Sequence, residues 1–167
     1  MEHFEIWSPA LAALRPPGPV DIASLAAALE ASWDHRTAYC GMIQAGNPAF
    51  GQCYPTSRVV QFFYPEVEIA CGDVWTGAAT ECHFWNIRGS GDQAEWIDLS
   101  WQQFPAGSVV QRYKLLDRRL LGDSPPTIER CELLLRRVLA HLANSACVTS
   151  DRSGMRPPAP SPTPRAG

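Results

Sequence analysis

Around Pro65 the hydrophobic period of the chain changes, and that change limits its fold more than any other feature. Before it, "DIASLAAALEASW" places Ile22, Leu25, Ala26, Leu29 and Trp33 at helical intervals, with Asp21 as N-cap. A second helix is predicted from about Cys53 to Tyr64. Pro55 is tolerable only in its first turn, and Pro65 stops it. After Pro65, "EVEIACGDVW" alternates Val67, Ile69 and Cys71 every second residue, as a strand does. "CHFWNI" and "AEWIDL" read as short strands around the turn "RGSGDQ", "SWQQF" as a helical turn and "SVVQRY" as a further strand. The helical period returns in "TIERCELLLRRVLAHLAN", where Ile128, Cys131, Leu135, Val138 and Leu142 share one face. Helices, then antiparallel strands, then a helix define an α+β fold: N-terminal helices packed on a small antiparallel sheet, closed by a C-terminal helix.

A chain of 167 residues is expected to form one domain. The boundary falls near residue 149. From 150 to 167 the chain carries a Pro-rich segment that cannot build a core and is expected to be disordered. The net charge of -3 argues against a nucleic-acid partner. No apolar run approaches the roughly 20 residues needed to span a bilayer. "MEHFEIWSPALAALRPP" begins acidic, unlike a secretory signal, so a cytoplasmic protein is expected. In that compartment the six cysteines, at 40, 53, 71, 82, 131 and 147, are expected to be reduced. No CxxC pair is present, and the spacing of Cys71, Cys82 and His83 fits no standard metal pattern. Neither a metal nor another cofactor is expected.

The chemistry centres on Cys53, in "NPAFGQC". A thiol is a good nucleophile only as thiolate, which the positive end of a helix stabilises. Gly51 permits the close backbone approach that such an entrance needs. The Cys53 amide is then a candidate oxyanion donor, with Asn47 and Gln52 as candidates to position the oxyanion or substrate. If the hairpin turn is centred between Ser90 and Gly91, Trp85 falls opposite Trp96, Ile87 opposite Ala94 and His83 opposite Asp98. One register thus yields an aromatic pair and an acid–base pair, whereas a one-residue slip would separate both. Cys53, His83 and Asp98 in that order suit a triad: imidazole takes the thiol proton, carboxylate orients the imidazole, and backbone donors hold the tetrahedral intermediate. Asp34 and His35 read as a solvated helix end.

"NPAFGQCYPTSRVVQFF", "CHFWNIRGSGDQAEWIDLSWQQF" and "TIERCELLLRRVL" resemble the YunG-like family of uncharacterised bacterial proteins over about residues 30 to 140. Ser100 stands where that family usually has threonine, and "FFYPEVEIACGDV" departs from its Gly-rich stretch. A more distant resemblance, to papain-type and transglutaminase-like cysteine enzymes, rests on Cys at a helix start followed by His and Asp. Asn47 there occupies the spacing of an oxyanion-hole amide. That resemblance implies a cysteine-dependent hydrolase or acyl transferase acting on an amide or thioester of a peptide or small molecule. The rival reading is a non-catalytic binding module of the same fold, using a groove lined by Trp85 and Trp96.

Overall fold

The computed structural model describes residues 7–16, 18–118 and 122–152, the last six of these by backbone alone. Among the described residues, four α-helices and four strands follow one another as α1 (Pro9–Ala12), α2 (Ile22–Glu30), α3 (Cys53–Phe63), β1 (Glu68–Trp75), β2 (Thr80–Arg88), β3 (Glu95–Ile97), β4 (Val109–Leu115) and α4 (Pro125–Arg152). The strands form one antiparallel sheet in the order β3-β2-β1-β4. The α+β reading of the sequence matches this architecture. Two details differ. A short helix, α1, precedes the first expected one, with Ser8 as N-cap and Pro9 in its first turn. The C-terminal helix spans Pro125–Arg152, longer at both ends than the stretch 127–144 whose period predicts it. The rest of the Pro-rich segment lies outside the described residues.

α2 starts where Asp21 predicts, its carboxylate accepting from the Ser24 amide at 2.9 Å. α3 is the pivot of the fold, packed against β2 on one side and α4 on another, with α2 beyond α4. Pro55, Thr56, Ser57, Arg58, Val59, Val60 and Phe62 are all buried, so this helix is enclosed nearly all round. Its polar residues are accordingly partnered. Trp33 Nε1 donates to Thr56 Oγ1 at 3.1 Å, Asn86 Nδ2 donates to the Ser57 carbonyl at 3.1 Å, and Arg58 forms an ion pair with Asp123 just ahead of α4. The main core gathers Leu25 and Leu29 of α2, Val59, Val60 and Phe62 of α3, and Leu134, Leu135 and Val138 of α4. Val67 and Ile97 close it from the sheet side.

The sheet has two occupied faces. Alternation along β2 turns Phe84 and Asn86 towards α3, where Phe84 meets the Tyr54 ring edge-on at 4.9 Å. His83, Trp85 and Ile87 point to the opposite face, where Ala70, Trp85 and Ile87 form a second, smaller core. Trp85 there lies against Gly72 of β1. A Cβ at Gly72 would stand 2.5 Å from the Arg112 carbonyl oxygen, 2.7 Å from Trp85 Cη2 and 2.8 Å from Tyr113 Cβ. The close approach of β1, β4 and the indole therefore requires glycine.

Gly72→Ala is expected to destabilise the domain by about 3 kcal/mol, the upper end of the overpacking range, because one of the clashing atoms is backbone and cannot swing aside. Urea unfolding followed by far-UV circular dichroism checks this. An unchanged midpoint would show that the indole packs elsewhere.

Candidate functional site

The hairpin that carries His83 has a different register from the one the turn centre predicts. Asn86 pairs with Ile97, Ile87 with Trp96 and Arg88 with Glu95. This is a shift of two residues, and its cause is the connection. The connection, residues 89–94, holds a 3-10 turn over Gly91–Gln93 and has positive φ at Gly89 and Gly91, rather than a turn centred between Ser90 and Gly91. Trp96 therefore stands opposite Ile87, not Trp85. An even shift keeps every side chain on its face, so the expected partners meet diagonally. Trp85 and Trp96 lie with ring centroids 5.2 Å apart, and His83 Nε2 is 2.7 Å from Asp98 Oδ2.

His83 is fully buried, stacked on Trp85 and met edge-on by Phe104. Its second nitrogen is also occupied. Gln103 Nε2 lies 3.2 Å from Nδ1 and donates to the Ser100 carbonyl at 3.1 Å. Because Ser100 O can only accept, the nitrogen end of the amide faces the ring, and Nδ1 accepts from it. The ring proton then sits on Nε2 and is donated to Asp98. Asp98 Oδ1 accepts from the Ser100 amide at 3.1 Å, which fixes the carboxylate from its other side. Gln103 went unnoticed in the sequence because "SWQQF" signals only a turn. The fold alone lays the segment Trp101–Gln103 over His83.

Cys53 opens α3 as the pattern predicts. Gly51, at φ +74°, makes the entrance, and the Gly51 carbonyl accepts from the Tyr39 amide at 2.8 Å. The thiol lies against the Phe84 amide, next along β2 from His83. No hydrogen bond joins the Cys53 sulfur to His83 among the described residues, and both imidazole nitrogens have other partners. Burial pushes the thiol up to about 11, only partly offset by the amides of Phe84, Tyr54 and Cys53 itself, while the nearby Asp98 charge raises it further.

The two candidate positioning amides serve the loop. Asn47 Nδ2 donates to Gln44 Oε1 at 2.7 Å and to the Gln103 carbonyl at 2.8 Å, so it anchors the residue that holds His83. Gln52 is buried and donates to the Asp34 carbonyl at 2.9 Å. Asp34 is no solvated helix end. Its carboxylate takes Arg137 of α4 at 2.9 Å and the Arg36 amide at 2.8 Å, and the Arg137 hydrogen bond holds its carboxyl below the usual carboxylate range. Cys71 and Cys82 sit across β1 and β2 with sulfurs 3.8 Å apart, on the face opposite to His83. Among the described residues no group of three His, Cys, Asp or Glu side chains could hold a metal ion.

Beside the His83–Asp98 pair lies an open pocket of about 360 Å³. Trp85, Trp96 and Trp101 line it with Asp98, and Ser108, Val109 and Val110 of the β4 edge complete it. Tyr113 braces the wall, its ring 5.4 Å from that of Trp85 and 5.1 Å from that of Trp96. Trp85, Trp96 and Trp101 thus share one pocket, and Tyr113 packs against the first two.

The molecule is an α+β domain with helices on one face of an antiparallel sheet and an aromatic pocket on the other. The family model described as "YunG protein" matches residues 21–143, and the chain belongs to the YunG family. No curated protein and no solved structure gives a significant match. Among the described residues no helix is long and apolar enough to cross a membrane.

The thiol geometry predicts slow chemistry. With its titration near pH 11, Cys53 at pH 8 is ionised about two orders of magnitude less than a free cysteine. Its alkylation by iodoacetamide, followed by peptide mass spectrometry, should rise steeply only above about pH 10 and be unaltered by His83→Asn. Fast labelling at neutral pH that depends on His83 would contradict this geometry.

Proposed function

We propose that the domain is a binding module whose ligand occupies the pocket of Trp85, Trp96 and Trp101. The observation that carries this reading is the pocket itself. It has the size of a small-molecule site, and its walls are large rigid rings with one carboxylate among them. Indole walls bury much apolar area at little entropic cost, since each ring is already held by its neighbours. The His83–Asp98–Gln103 chain acts as scaffold, orienting the carboxylate and holding the segment Trp101–Gln103 against the sheet. N-phenyl-1-naphthylamine, a neutral dye that brightens in apolar surroundings, tests it. Saturable binding to the wild-type protein should weaken at least about tenfold in Trp96→Ala, since one aromatic wall is lost. Trp96 is half exposed, so the melting temperature should hardly move. Equal binding by both proteins would remove the pocket from consideration.

A second reading, a cysteine-dependent hydrolase or acyl transferase of papain- or transglutaminase-like type, draws support from the oriented His83–Asp98 pair and from Cys53 at the start of α3. It requires the Nδ1 lone pair to leave Gln103 and reach the thiol. A thioester acyl probe that leaves an acyl adduct on Cys53 at neutral pH, in the wild type but not in Cys53→Ala or His83→Asn, would favour it over binding.

A further inference from the structure

We infer that the ligand of the aromatic pocket is an organic cation, a methylated ammonium group. The inference rests on the binding reading above and names the chemistry that the same pocket selects. Three indoles line it, and the faces of indole rings attract cations more strongly than those of other aromatic side chains. Asp98 is the one charged residue among the described residues that line it. Its carboxylate keeps its charge uncompensated by the imidazole, because Gln103 occupies Nδ1 as donor and leaves His83 one proton, the one given to Asp98. A neutral partner orients the carboxylate without cancelling it.

A methylated ammonium suits these walls better than a primary one. It has no or few N–H donors to satisfy, and its methyl groups bury against Val109, Val110 and the rings.

Choline and its neutral isostere, 3,3-dimethyl-1-butanol, differ in the charge alone and make the decisive pair. Both are titrated calorimetrically against the intact protein, with the naphthylamine dye as reporter of the pocket itself. Choline is expected to bind saturably and to displace the dye, with the alcohol at least about tenfold weaker. Asp98→Asn keeps an oxygen that can accept from His83, and should bring that ratio towards one. The same cation occurs on lipids, so sedimentation with phosphatidylcholine and phosphatidylglycerol vesicles is run in parallel. Selective pelleting with the former assigns the cation to a headgroup, and free choline binding without pelleting assigns it to a soluble molecule. Equal binding of choline and the alcohol, or dye binding that choline does not displace, overturns the cation while leaving the pocket. Failure of the dye as well as of choline overturns both.

Discussion

The contact between Trp85 and Gly72 is the constraint on which the rest of the sheet depends. The indole occupies space that any other residue at position 72 would fill, and β1 is thereby held against β4 within reach of the Arg112 carbonyl. The same ring stacks on His83, meets Trp96 and Tyr113, and forms a wall of the pocket. A packing requirement in the middle of the sheet is therefore also what shapes the site. Aromatic clusters of this kind combine a large buried area with few rotatable bonds, which suits a preorganised binding surface.

On the other face, α3 imposes an equally strict condition. A helix enclosed by β2 and α4 must satisfy every polar side chain it carries, and Thr56, Arg58 and the Ser57 carbonyl each have a partner from a different element. The pairing of Arg58 with Asp123 is nearly dry, with side-chain exposures of 5% and 6%, so loss of either partner would strand a buried charge. The enclosure also explains the state of Cys53. A helix N-terminus lowers a thiol's titration when an imidazolium shares the site, whereas burial pushes that of Cys53 up.

Much of this was legible in the chain. The change of period at Pro65 located α3 and β1, Asp21 marked the start of α2, and alternation placed His83 and Trp85 on one face of β2. The pairing of His83 with Asp98 also followed from the sequence, although its register did not. Local glycine conformation at positions 89 and 91 decides how many residues the turn consumes, and residue spacing alone carries no record of φ. One role was misread. Asp34 looked like a solvated end, yet its carboxylate takes Arg137 of α4, a segment far away in the chain. A side chain's partner across such separations is set by packing.

The sequence by itself determined the class of fold, the helical start at Cys53 and the shared face of His83, Trp85, Trp96 and Asp98, because hydrophobic period and strand parity are local properties. The tertiary structure alone decided that the thiol is buried against the Phe84 amide. It also decided that Gln103 takes the second imidazole nitrogen, and that Trp101 and the β4 edge complete a pocket. The physical reason is that order along the chain specifies which groups are present, whereas a twofold alternation in β2 and the path of residues 98–104 over it determine which groups can touch.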